Sequence, residues 1–324
     1  MGNDAFNTDV GQVLCSKTKH CPTMLESYNV LGIGLIETRE SSMKRRFYIT
    51  DVFHEGAYSG NQLATIIDTE NLSDEEMLNI AREFNFAETT FFLGGSPENG
   101  FDVRIFTPNK EVPFAGHPSL GTAFLIKNYL CEIPNNQLTL NLEVGKIDIT
   151  FNEGEVIWMK QPEPTFGQTY SIEEIVDALK LKIEDLDHRF PIQLVSTGLE
   201  FLMVPLVSLD ALKRCSVLQS PALGTFVFCR ETYDQGHNIA ARMFAPEVGV
   251  TEDAATGSAN GCLASYILEH NYLDSTEINI RVAQGREIKR PSILHLQARK
   301  TEGRFDINVG GKVRLVAEGN LLSD

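Results

Sequence analysis

The sequence predicts an α+β fold in which many short strands are accompanied by few helices. Segments rich in β-branched and aromatic residues recur along most of the chain. Only four segments have helical features, and two of these carry no charged residue. A five-residue motif also occurs twice. Together these observations predict two similar halves, each a sheet wrapped around a buried central helix.

The first 44 residues differ from the rest of the chain. They show neither a helical nor an alternating period, and Ser, Thr, Asn and Lys are spread throughout. We expect residues 1–44 to form a flexible N-terminal extension. Asp4 and Asp9 disfavour a mitochondrial leader, because such leaders avoid acidic residues. Regular structure is predicted from Lys44, and residues 47–53 are rich enough in β-formers to be the first strand.

Two capping boxes predict helix starts, and the remaining regular segments are predicted strands. Ser73 with Glu76, and Ser171 with Glu174, have the spacing at which side chains satisfy the first backbone N–H groups of a helix. The predicted strands are residues 89–93, 102–106, 138–142, 146–151, 155–160, 192–196, 201–207, 224–229, 277–282, 293–298, 304–309 and 313–317.

Two further helices, residues 117–126 and 254–268, contain no Asp, Glu, Lys or Arg. A helix without a charged face is normally buried on all sides. We therefore expect each helix to lie at the centre of one half of the molecule.

A repeated motif supports the division into halves. Residues 104–108 read Arg-Ile-Phe-Thr-Pro, and residues 242–246 read Arg-Met-Phe-Ala-Pro. Each copy precedes a glycine-containing entry to one of the uncharged helices, at Gly116 and Gly257. The recurrence indicates a duplicated unit. Arg104 and Arg242 are expected to pair with carboxylates on the strands and not to bind a ligand.

Composition excludes several classes of function. The net charge of -16 disfavours nucleic acid or an anionic membrane surface as a partner, since both require a basic face. No apolar run approaches the roughly 20 residues of a membrane span. The 6 cysteines are scattered without C-x-x-C or zinc spacing, which is typical of a reduced compartment. We expect a cytoplasmic protein with no bound metal.

Two loops of small residues enter the uncharged helices and are candidate anion sites. Residues 116–121 and 256–261 bring glycine to a helix start, where a ligand can approach unpaired N–H groups and the positive end of the helix dipole. Neither loop has the lysine of a phosphate loop, so a substrate carboxylate is favoured over a nucleotide. Gly116, Thr256, Gly257 and Ser258 are the candidate binding residues. The alternative is that both loops simply pack tightly on a sheet.

Three ionisable side chains are candidates for chemistry. Glu88 lies among Phe86, Phe91 and Phe92, where partial desolvation would raise its pKa toward the range useful for proton transfer. The alternative is a solvated turn residue. His117 could instead be a hydrogen-bonding group at a helix start, and Asp253 could cap the second uncharged helix. The start of that helix is expected to favour the ionised form of Asp253.

Several motifs in order resemble the PhzF-like family, which is named for an isomerase of phenazine biosynthesis and is related to diaminopimelate epimerase. The resemblance extends from about residue 45 to 319 and rests on residues 51–53, 59–61, 87–91, 104–108, 111–117, 196–198, 253–259 and 316–319.

The resemblance implies half-domains at residues 45–160 and 161–311, each a rolled sheet around a central helix, with the first completed by a strand near 312–324. It implies a cleft between them, a small carboxylate substrate and commonly a homodimer. Glu88 falls at the acid/base position, His117, Asp253 and Ser258 fall at polar positions around it, and Asn61 matches a position that contacts substrate.

The expected function is a cofactor-independent isomerase that moves a carbon-bound proton on an acid such as trans-2,3-dihydro-3-hydroxyanthranilate. Related epimerases place a cysteine at the start of each loop, whereas this chain has Ala115 and Ala254. Two-base racemisation of an amino acid is therefore disfavoured. A non-catalytic regulatory or interaction protein is the other alternative, and it is disfavoured by the presence of Glu88, His117 and Asp253.

Overall fold

The structure is a computed structural model that describes residues 44–152 and 154–322. Residues 1–43 of the predicted extension lie outside the described residues, and Lys44 begins the first strand as expected. Strands far outnumber helices within the described residues, which confirms the α+β prediction.

Within the described residues, the strands are hydrogen-bonded to one another in a single sheet of 18 strands. They are β1 (Lys44–Val52), β2 (Asn61–Ile66), β3 (Glu88–Ser96), β4 (Gly100–Phe106), β5 (Glu111–Val112), β6 (Gln137–Leu142), β7 (Gly145–Phe151), β8 (Ile157–Lys160), β9 (Thr165–Tyr170), β10 (Ile192–Ser196), β11 (Glu200–Pro205), β12 (Gly224–Cys229), β13 (Ile239–Ala245), β14 (Val250–Asp253), β15 (Glu277–Gln284), β16 (Ser292–Thr301), β17 (Arg304–Gly311) and β18 (Val313–Leu322).

The last strand returns to the first. Strand β18 runs antiparallel to β1, with Val313 opposite Val52 and Leu322 opposite Lys44. Strand β1 pairs on its other edge with β2. The predicted half-domain boundaries at residues 160 and 311 stay a prediction.

The α-helices are α1 (Asp74–Phe84), α2 (Gly116–Leu125), α3 (Ile172–Ile175), α4 (Leu209–Arg214) and α5 (Gly257–Glu269). The predicted capping boxes at Ser73 and Ser171 are both formed. The second opens a helix of only 4 residues, and α4 was not predicted. None of the helices in the described ranges is long and apolar enough to cross a membrane.

The two uncharged helices are buried as predicted. Every residue of α2 except Phe124 and every residue of α5 except Glu269 is buried. Helix α2 continues as a π-helical turn, Ile126–Leu130, which the sequence did not indicate. Helix α5 begins three residues later than predicted, because residues 254–256 form a loop that packs on the end of β15.

Helix α2 lies unusually close to the first two strands. A Cβ added at Gly121 would lie 2.5 Å from Leu63 and 3.0 Å from Val52. This close approach holds the start of α2 beside Asn61, the first residue of β2. The glycine thus helps to bring two candidate site residues, Asn61 and His117, together.

The two copies of the repeated motif make matching local contacts. Arg104 on β4 forms a two-point ion pair with Glu111 on β5. Arg242 on β13 forms the same pair with Glu252 on β14. Both arginines therefore pair with carboxylates, as expected from the sequence.

Five strands were missed by sequence analysis: β2, β5, β9, β13 and β14. Strand β13 shows the reason, since all seven of its residues are buried, Arg242 included. A strand buried on both faces has no alternation of polar and apolar residues by which to recognise it.

Candidate active site

The starts of α2 and α5 meet inside the molecule. A Cβ added at Gly116 would lie 3.5 Å from the Cα atom of Gly257 and 3.5 Å from the backbone nitrogen of Ser258. The residues before the two helices, Ala115 and Thr256, make no side-chain capping hydrogen bond. First-turn N–H groups of both helices are thus available, and both helix dipoles favour an anion at this point.

Asp253 lies beside these helix starts and is held by two neutral side chains. The Asn61 amide nitrogen donates to Asp253 Oδ1 at 2.8 Å, and the Thr256 hydroxyl donates to Oδ2 at 2.6 Å. Asn61 also donates to the Ala255 carbonyl at 2.9 Å and lies 3.3 Å from His117 Nδ1. Asn61, predicted to contact substrate, therefore holds Asp253 and lies beside His117 in this structure.

Glu88 and His117 face each other across the same space. Glu88 Oε2 lies 3.5 Å from His117 Nε2, and neither atom has a hydrogen-bond partner among the described residues. Their side chains are 19% and 6% exposed. Buried polar atoms rarely go without partners. These two atoms are therefore placed to bind a polar ligand.

Burial keeps both groups uncharged near neutral pH. Burial, together with the smaller effect of the Asp253 charge, raises the pKa of Glu88 to about 8. Burial lowers the pKa of His117 to about 3, which a backbone hydrogen bond at Gln62 only partly opposes. The close contact between Glu88 and His117 is consequently not an ion pair at pH 7. It joins a protonated acid to a neutral imidazole.

Glu88 is desolvated as expected, but Phe91 does not lie beside it. Successive side chains of a strand point to opposite faces, so Phe91 faces away from Glu88. Phe91 packs with the α1 residues Met77 and Ala81 instead. Phe92 lies on the same face as Glu88 and packs against the main core.

The structure also corrects two expectations for Asp253. The residue that precedes α5 is Thr256, so Asp253 does not cap that helix. Sequence reasoning held that a nearby helix start would favour the ionised form. Burial dominates instead and raises the pKa of Asp253 to about 6, although hydrogen bonds from Thr256 and Asn61 act in the opposite direction.

A family model described as "Phenazine biosynthesis-like protein" matches residues 50–319. The chain belongs to this PhzC-PhzF family. It is 34% identical over 284 residues to trans-2,3-dihydro-3-hydroxyanthranilate isomerase of Pseudomonas aeruginosa, covering 85% of this chain and 98% of the relative. It is 36% identical over 273 residues to the isomerase of that name from Pseudomonas fluorescens, covering 80% and 91%.

Solved structures of PhzF-type proteins resemble this one. A Bacillus anthracis phenazine biosynthesis protein of the PhzF family matches with a TM-score of 0.78 and 29% identity, covering 87% of this chain and all of that one. A hydroxyproline epimerase from Agrobacterium vitis, at 9% identity and a TM-score of 0.55 over 87% and 93% of the chains, shares the fold alone. The predicted family and the predicted isomerase class are thereby confirmed.

The predicted site residues of this PhzF-type protein lie together. Asn61, His117 and Asp253 are linked directly, and Glu88 contacts His117. Gly116, Gly257 and Ser258 form the meeting point of the two helices, and Thr256 contacts Asp253. The roles of these residues stay predictions.

Sequence reasoning missed Gln284, whose side-chain amide contacts both Asp253 and Thr256. The sequence does contain an indication of this role. Residues Ile278, Ile280 and Val282 alternate on the buried face of β15, and Gln284 continues that alternation. A polar residue at an apolar position of a strand is a reason to look for a hydrogen-bonded role.

Two other features lie away from the site. An open groove of about 460 Å³ is lined by β4–β6 residues, including Arg104 and Glu111, and contains none of the candidate residues. Glu55, Asp234 and His237 are close enough to share a cation. The Arg286 guanidinium already lies 2.9 Å from Glu55 and 3.2 Å from Asp234 and supplies the positive charge there.

The thiols nearest the site should be chemically inessential. Burial raises the pKa of Cys262 to about 12, so its reactive thiolate is scarce at pH 7. We expect treatment of the folded protein with iodoacetamide to leave turnover unchanged. Mass spectrometry of the modified peptides would check this result. Activity lost in proportion to modification of Cys262 alone would contradict it.

Proposed function

We propose that this PhzF-type isomerase moves a carbon-bound proton within a small cyclic carboxylic acid of the trans-2,3-dihydro-3-hydroxyanthranilate type. The observation that carries the proposal is the pair of unpartnered buried atoms, Glu88 Oε2 and His117 Nε2, beside two open helix starts. The named activity of the relatives supports the same substrate class.

The proposed reaction begins when ionised Glu88 removes a proton from a substrate carbon made acidic by its neighbours. The electron pair of the broken C–H bond forms a new C=C bond, and the pair of the existing double bond moves to a second carbon. That carbon takes the proton from Glu88, which returns to its ionised state. Atoms and electrons balance within one molecule, so this step consumes no oxidant or reductant.

The surrounding groups would bind and orient the substrate. The starts of α2 and α5 would hold the substrate carboxylate through their free N–H groups. His117, neutral because burial lowers its pKa to about 3, would hydrogen-bond a polar substituent without competing for the substrate proton. Asp253, held on both oxygens, would fix the orientation of the ring and influence the charge of Glu88.

Amino-acid racemisation fits this site less well. It requires bases on two faces of one carbon, and the two loop starts hold Ala115 and Ala254. A non-catalytic role fits less well because it gives no use for a buried acid left without partners.

A direct assay tests the proposed isomerase activity. Purified protein mixed with trans-2,3-dihydro-3-hydroxyanthranilate should consume it, as followed by absorbance and mass spectrometry. No reaction with this acid would reject the proposed substrate class.

The pH dependence should report the ionisation of Glu88. Because its pKa is raised to about 8, the fraction of free enzyme carrying the required base increases as pH rises toward that value. We expect kcat/KM to increase about tenfold per pH unit below pH 8 and to level off above it. Melting temperature measured at each pH is the control for unfolding. A kcat/KM that falls above pH 8 would instead assign the first step to protonated Glu88.

A further inference from the structure

Gln284 is fully buried at the end of β15, and its side chain makes four hydrogen bonds. Its nitrogen donates to the Asp253 carbonyl and to the Thr256 hydroxyl, both at 3.1 Å. Its oxygen accepts from the Thr256 backbone N–H at 3.3 Å and from the Asn260 amide at 3.1 Å. A primary amide offers two donors and two lone pairs, so its capacity is filled.

The direction of the Thr256 hydroxyl follows from these contacts. A hydroxyl has a single proton to donate. Because Thr256 Oγ1 receives a hydrogen bond from Gln284, its own proton is free for Asp253 Oδ2, 2.6 Å away. Gln284 therefore holds the hydroxyl as a donor toward the carboxylate.

The backbone around Asp253 is held by the same turn. A Cβ added at Gly285, whose φ is +75°, would lie 2.5 Å from the Ala254 carbonyl oxygen. The turn after Gln284 is thus packed directly against the loop before α5. The Asp253 carboxylate is fixed by Thr256 on one oxygen and by Asn61 on the other.

We propose that Gln284 is a positioning residue of the active site, acting through Thr256 to hold Asp253 as a two-point hydrogen-bond acceptor. The functional meaning of this role rests on the proposed isomerase activity. The hydrogen-bonding role itself does not, because it concerns the ionisation of Asp253 in the protein without substrate.

The charges that face Asp253 set the expected direction of change. The negative charge of Glu252 raises the pKa of Asp253. The carboxylates of Glu88 and Asp253 repel each other when both are ionised. The hydrogen bonds from Thr256 and Asn61 act against these carboxylates by stabilising the ionised form. Without Gln284 the Thr256 hydroxyl can turn away. The ionised form of Asp253 then loses a donor, and its pKa rises.

The test is a titration of Asp253 in Gln284→Met, a replacement of similar size. NMR of protein carrying ¹³C-labelled aspartate follows the carboxyl carbon, and Asp253→Asn assigns its signal. We expect the midpoint to rise by about one pH unit, the value of one hydrogen bond to a charged group. Turnover of trans-2,3-dihydro-3-hydroxyanthranilate should fall about 10–100-fold, as when a group that orients a functional side chain is removed.

Gln161→Met is the matched control. Gln161 is also buried and lies against α5 at Gly261, and its side-chain amide donates to the Met159 carbonyl and not to Asp253. Its replacement should leave the Asp253 midpoint and turnover unchanged. An unchanged midpoint in Gln284→Met would overturn the proposal, whether or not the acid is a substrate.

A second pair of variants keeps the test valid if Gln284→Met does not fold. Thr256→Val removes the hydroxyl and should raise the Asp253 midpoint by a similar amount, while Thr256→Ser retains the hydroxyl and should not. Equal midpoints in these two variants would also overturn the proposal, because the link through the hydroxyl would then be absent.

Discussion

Glu88→Gln should lower turnover by about 10⁴-fold, the upper end of the range for a general acid–base group. Glutamine keeps the size of the side chain and can still hydrogen-bond, but it cannot carry a proton between two carbons. Glu88 is the group on which the proposed reaction depends at both steps. The loss should therefore appear in kcat, and KM should change little.

Ligand binding provides the control for this variant. 3-Hydroxyanthranilate, an aromatic acid resembling the substrate, should raise the melting temperature of wild type and Glu88→Gln alike, because the helix starts that hold its carboxylate are unaltered. Asp253→Asn should retain more turnover than Glu88→Gln. If Glu88→Gln stayed near wild type while Asp253→Asn lost activity, the two roles assigned here would be reversed.

Arg242→Met should lower the free energy of unfolding by about 3–5 kcal/mol, because it leaves a buried charge without its partner. The side chains of Arg242 and Glu252 are only 9% and 6% exposed. Arg242 also donates to the backbone carbonyls of Leu212 and Cys215, which would lose their donor. Several buried acceptors are thus left unsatisfied by one substitution.

The repeated motif supplies a matched comparison at Arg104. Arg104 and Glu111 make the same two-point pair, but their side chains are 26% and 30% exposed. Water can replace the lost partner there, so Arg104→Met should cost about 1 kcal/mol or less. Urea denaturation of both variants measures the difference. Equal losses would show that burial does not govern the strength of these two ion pairs.

The fold could be predicted largely because its two central helical segments contain no Asp, Glu, Lys or Arg. Two helical segments without charged residues, 117–126 and 254–268, can be stable only when buried, and the structure buries nearly all of both. Strands buried on both faces, such as β13, escaped prediction because they lack alternation. Continuous pairing of β18 with β1 brings together residues separated by almost the whole described chain. No local pattern encodes such a contact, and it was expected only through the resemblance.

The members of the site could be named from motifs, but their electrostatics could not. Glu88, His117 and Asp253 were all identified, and they do lie together. The pKa of Asp253 was expected to be low because a helix starts nearby, yet burial raises it to about 6. Desolvation depends on which side chains close around a group in three dimensions. Gln284 was missed for a related reason, since its importance lies in contacts between β15 and a distant loop.

Removal of a carbon-bound deuterium tests the central claim most directly. Wild type and Glu88→Gln would be incubated in H₂O with trans-2,3-dihydro-3-hydroxyanthranilate deuterated at the carbon that loses its proton, and the deuterium left on that carbon would be measured by NMR and mass spectrometry. Proton transfer by Glu88 predicts that wild type removes the deuterium from that carbon and that Glu88→Gln removes none above background. Equal removal by the two proteins would show that another group carries the proton.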